Sequence, residues 1–134
     1  MAFVRQETLT VVARVDGAPP FSALRAALQV IAADRIPGGG ARPRAFGDPE
    51  LGIHFARLVL LEEPAAGDHQ SVLIFESNFD TTFEDPPEAR HEHLKLLCHA
   101  IFAPLFSVFQ HCTGFAPLSS ADELTELHNR SSDN

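Results

Sequence analysis

Two apolar runs with a short polar break between them constrain this chain most: "GIHFARLVLLEE" (52–63) and "SVLIFESNF" (71–79), separated by "PAAGDHQ". Their length and their β-branched and aromatic content favour a pair of strands over helices. If Leu61 lies opposite Val72, an antiparallel register sets Arg57 opposite Glu76, Phe55 opposite Asn78 and Ile53 opposite Asp80. One face then carries His54, Ala56, Leu58 and Leu60 with Leu73, Phe75, Ser77 and Phe79. The other carries Phe55, Arg57 and Val59 with Val72, Ile74, Glu76 and Asn78. Both faces are mainly apolar, whereas a sheet covered on one side only alternates cleanly between apolar and polar. Something must cover the second face, and a partner subunit or a bound ligand would do so.

The flanking segments supply the remaining elements. From Thr8 to Val15, Leu9, Val11, Ala13 and Val15 alternate with polar positions, which predicts a strand. Behind the prolines of "DGAPP", Phe21, Leu24, Leu28 and Ile31 recur at three- and four-residue steps, which predicts an amphipathic helix. "IPGGGARPRAFGDPE" (36–50) has no period and is rich in glycine and proline; it reads as a mobile surface loop, with a ligand-ordered lid as the functional alternative. After Asp85, the positions Leu94, Leu97, Cys98, Ile101 and Leu105 form one helical stripe, which Pro104 should kink or divide. "TGFAPL" (113–118) is either a short final strand or an extended connection. Ser120 to Glu123 has capping-box spacing ahead of Leu124 and Leu127, which predicts a last short helix before a frayed end.

The order strand, helix, strand, strand, helix, with a possible fourth strand, is that of a ferredoxin-like α+β unit, βαββα(β), with an antiparallel sheet and its helices on one face. It spans 1–118, leaving 119–134 as the C-terminal helix and tail. With Phe55, Val59, Val72 and Ile74 on the open face, the chain resembles the dimeric α/β-barrel proteins, in which two such sheets pack face to face. That resemblance implies a homodimer whose barrel interior or cleft is the binding site. The hairpin "IHFARLVLLEE" through "LIFESNFD", together with "HCTGF" (111–115), is similar to segments of uncharacterised bacterial proteins, a likeness that brings no assigned catalytic residue with it. DyP-type peroxidases and small antibiotic-biosynthesis monooxygenases share the broader fold. Neither a haem-ligand motif nor the Gly-rich acidic peroxidase signature is present here, and fold analogy alone supplies no chemistry.

Composition narrows the function classes. With 134 residues and 45% hydrophobic content the chain builds one ordinary core. Ten Lys plus Arg against 18 Asp plus Glu give a net charge of -8, which repels phosphate backbones and anionic membranes, so neither nucleic acid nor membrane is an expected partner. The arginines at 25 and 35 and at 42 and 44 are sparse and lack stacking aromatics. Two cysteines make no disulfide framework, the N-terminus enters a strand directly, and no apolar run reaches the roughly 18 residues of a membrane span. A reducing, cytoplasmic setting is expected.

Arg57 and Glu76 are the leading site candidates, because an ion pair among apolar neighbours must be well bonded to offset its desolvation. Functionally, Arg57 would recognise an anion or carbonyl and Glu76 would orient it or act as a base. The plainer reading is a structural pair or a dimer-register device. Asn78 and Phe55 extend the candidate ligand-binding row, while Asp80 reads as the start of a turn. His54 falls on the opposite face near Phe79 and Leu58, where a satisfied core histidine is the ordinary outcome. His91, His93 and His99 make no i, i+4 pair and "HC" (111–112) is no zinc pattern, so we expect solvated histidines and no metal site. Cys112 reads as a packed thiol rather than a nucleophile. The leading expectation is a homodimer whose open face binds a small, partly hydrophobic molecule, with no cofactor required. The alternatives are a cofactor-independent or haem-assisted oxidoreductase and a purely structural interaction module.

Overall fold

The computed structural model describes residues 5–17, 20–34, 44–47, 51–62, 71–115 and 125. Three strands, β1 (Arg5–Arg14), β2 (Ile53–Leu61) and β3 (Val72–Thr81), combine with three helices, α1 (Ser22–Ala33), α2 (Pro86–Ala100) and α3 (Phe102–Phe109). The sheet is antiparallel throughout, in the order β1-β3-β2. β1 and β2 therefore run parallel, joined through α1, with β3 inserted between them. This split β-α-β arrangement is the ferredoxin-like α+β fold.

Alternation drives the sheet onto its core. Leu9, Val11 and Ala13 of β1 and Leu73, Phe75 and Phe79 of β3 are buried under the helices, whereas Thr8, Thr10, Val12 and Arg14 are exposed on the other side. α1 buries Leu24 and Ile31 and packs beside α3; α2 lies over β1. The Arg25 Nε donates to Glu62 Oε1 at 2.8 Å and so ties α1 to the end of β2. The glycine-rich loop contributes to the core as well: a single 3-10 turn at Arg44–Phe46 buries Phe46, whose ring lies 5.8 Å from that of Phe75. Neighbouring residues of that loop lie outside the described set, as does the expected C-terminal helix apart from Thr125.

The helix over the sheet is divided, and the break precedes the proline. α2 ends at Ala100, α3 starts at Phe102, and their axes differ by 97°. A continuous helix would drive the Pro104 ring against the carbonyl of Ala100; breaking at Ile101 puts Pro104 in the first turn of α3, where a missing N–H leaves no intrahelical bond unmade. After α3 the chain returns to the free edge of β1. The Thr113 amide donates to the Arg14 carbonyl and the Asp16 amide to the His111 carbonyl, both at 2.9 Å, with a single bridge between Val15 and Cys112. Residues 113–115 then turn, so the described part of "TGFAPL" is a turn, and 116–118 lie outside the described residues.

The hairpin register agrees with the sequence from Leu61↔Val72 through Arg57↔Glu76 to Phe55↔Asn78. It then slips. Ile53 pairs with Phe79 instead of Asp80, because His54 is the extra residue of a β-bulge. The slip turns Ile53 into the core and leaves His54 exposed, the reverse of their expected placement. Gly52, at φ +62°, enters the bulge in the left-handed region, and its carbonyl accepts from the Asp80 amide at 2.9 Å.

Candidate functional site

The register arranges the open face as four rows across β1, β3 and β2: Thr8, Asn78 and Phe55; Thr10, Glu76 and Arg57; Val12, Ile74 and Val59; Arg14, Val72 and Leu61. Polar groups fill the first two rows and aliphatic groups the last two, with Phe55 and Arg14 as the exceptions. Arg57 Nε donates to Glu76 Oε2 at 3.1 Å, and Asn78 Nδ2 donates to Thr8 Oγ1 at 3.3 Å. The Arg57 side chain is 53% exposed and that of Glu76 30%. In a single chain such a pair contributes no more than about 1 kcal/mol, so stability alone gives little reason for it. Phe55 is 52% exposed, Val12 49% and Leu61 47%. The four candidates Arg57, Glu76, Asn78 and Phe55 thus share one face on two adjacent strands, beside an aliphatic patch that the described elements leave open to solvent.

The covered face holds chemistry of another kind. Ala89, His93 and Leu97 recur at four-residue steps on α2, and that stripe carries His93 into the core at 3% exposure. Its ring stacks on Phe79 with centroids 3.7 Å apart, and its Nε2 lies 2.8 Å from Ser77 Oγ, itself fully buried. Burial lowers the His93 pKa to about 4, so the imidazole is neutral at physiological pH. This corrects the expectation of a solvated histidine: the i, i+4 step to Ala89 and Leu97 was the available signal, together with a serine in the buried row of β3. His91 and His99 are exposed.

The bulge brings His54 to Asp80, with Nε2 at 2.8 Å from Oδ1. His54 is therefore neither in the core nor isolated, and Asp80 belongs to β3 instead of starting a turn. Asp80 and His93 both line a pocket of about 240 Å³ between the end of β3 and α2. Cys98 and Cys112 are buried, and burial pushes their thiols up to about 11 and about 12, values at which neither forms the thiolate that nucleophilic chemistry needs. Among the described residues, no group of three His, Cys, Asp or Glu side chains could hold a metal ion, and no single helix is long and apolar enough to cross a membrane.

No protein-family model, curated protein or solved structure matches the chain. The geometry of the sheet face and of the pocket therefore carries the functional argument.

Proposed function

We propose that the protein works as a homodimer, two open sheet faces packed together as in a dimeric α/β barrel, and that it binds a small, partly hydrophobic molecule beside Arg57, Glu76, Asn78 and Phe55. The division of the open face carries this reading. Its aliphatic half gives a second copy an apolar surface to bury, and its polar half supplies directional groups that an interface made for packing alone would not need. Arg57 is the recognition group: a guanidinium steadied by Glu76 on the neighbouring strand presents its remaining N–H donors to a carboxylate, sulfonate or carbonyl. Phe55, one row away, gives the apolar part of the molecule a flat surface.

Anilinonaphthalenesulfonate, an apolar body with an anionic head, tests the site directly. Wild-type protein should enhance its fluorescence saturably, and Arg57→Ala should weaken binding by about tenfold while leaving the oligomeric state unchanged, the effect of removing one charge-assisted hydrogen bond. Unsaturable binding, or equal affinity in Arg57→Ala, would count against the reading.

A further inference from the structure

We propose that the pocket between the end of β3 and α2 is a second small-molecule site, separate from the open sheet face, and that it takes a compact amine with an apolar body and a neighbouring hydroxyl. At about 240 Å³ it is just below the size range of drug-sized ligand sites, so it suits a molecule of roughly ten non-hydrogen atoms. Phe79, Phe83 and Leu96 supply apolar walls, and the latter two are partly exposed and so accessible from solvent. The charged groups lining it are the carboxylates of Asp80 and Glu92, and its lining includes no Lys or Arg. Asp80 already holds His54, whereas Glu92 has no ion-pair partner among the described residues. In a chain of net charge -8, two carboxylates on low-dielectric walls concentrate cations and reject anions.

His93 supplies the second requirement. Among the described residues, His93 Nε2 and the fully buried Ser77 hydroxyl are each other's only side-chain hydrogen-bond partner, with the direction set by the ring tautomer. In either tautomer the ring's Nδ1 has no hydrogen-bond partner among the described residues, although His93 is only 3% exposed and lines the pocket. A buried polar atom without a partner costs about 1–3 kcal/mol, a cost that a ligand hydroxyl, able to donate or accept, would relieve. The ammonium end is then taken by Glu92 and the oxygen by His93, with the apolar body between Phe83 and Leu96.

Isothermal titration of the full chain with phenylethanolamine tests the assignment, with mandelate as a control that keeps ring and hydroxyl but replaces the amine arm by a carboxylate. The expected result is saturable binding of one amine per chain, with mandelate weaker by about tenfold or more. Glu92→Gln on the half-exposed helix face should remove most of that preference, Leu96→Trp should fill the pocket and abolish binding, and Arg57→Ala should change nothing. Equal affinity for mandelate, binding that survives Leu96→Trp, or no binding of the amine at millimolar concentration would overturn the proposal. Because Arg57→Ala is silent here, failure of this site and failure of the sheet-face site are separately readable.

Discussion

A neutral imidazole buried between Phe79 and Ser77 makes the stability of the fold depend on pH. His93 titrates near 6.5 when unfolded and at about 4 when folded, so between those values the unfolded chain binds the extra proton and stability falls as pH drops. The contribution is complete above about 6.5 and is lost as pH falls through about 4; a shift of that size corresponds to roughly 3 kcal/mol. Urea unfolding should show wild-type protein losing that much more between neutral pH and pH 4 than the double variant His93→Leu with Ser77→Ala, which removes both partners and leaves no orphaned group. Identical pH dependence would mean that His93 is not buried in the neutral form. Individual residues were unevenly legible in the sequence. Arg57 and Glu76 could be placed opposite each other because strand parity is a local rule. His93 could not be placed from polarity, because its burial depends on Ser77 sixteen residues earlier accepting the role of partner in a buried row.

Among the elements, the bulge at His54 decides most. Without it, two-residue alternation would send Ile53 to the open face and His54 under the helices; with it, the core gains an aliphatic side chain and Asp80 gains an imidazole at 2.8 Å. Gly52 makes the entry possible. A Cβ there would meet Asp80 atoms at 3.5 Å and beyond, ordinary contact distances, so the cost of Gly52→Ala is conformational instead of steric. Thermal or urea unfolding should show a loss of about 1 kcal/mol with the fold retained; a neutral result would mean that the bulge has another low-energy entry. Strand and helix identities followed from periodicity, whereas the bulge did not, since a one-residue slip leaves composition unchanged and is felt only as the burial of Ile53. The division of α2 from α3 was foreseeable from Pro104, but its position at Ile101 follows from where the proline is tolerated. Phe46 shows the limit from the other side: a glycine-rich loop without periodicity still supplies a core aromatic against Phe75.

For the molecule as a whole, the two faces of the sheet do different work. Helices cover one face and close a core that includes Phe75, Phe79, Leu94 and Leu97. The other face presents Val12, Phe55 and Leu61 to solvent beside the Arg57–Glu76 pair. Burying those side chains between two copies is favourable at about 25 cal/mol per Å² of apolar surface, and it must outweigh the repulsion of two chains each carrying -8. Sedimentation equilibrium at micromolar concentration and about 0.15 M ionic strength, where that repulsion is screened beyond roughly 8 Å, is the most direct measurement. The account predicts a species of twice the 14.6 kDa chain mass that dissociates in Val12→Glu, in the aliphatic half of the face. A wild-type protein that remains at 14.6 kDa, or a dimer that Val12→Glu leaves intact, would contradict it.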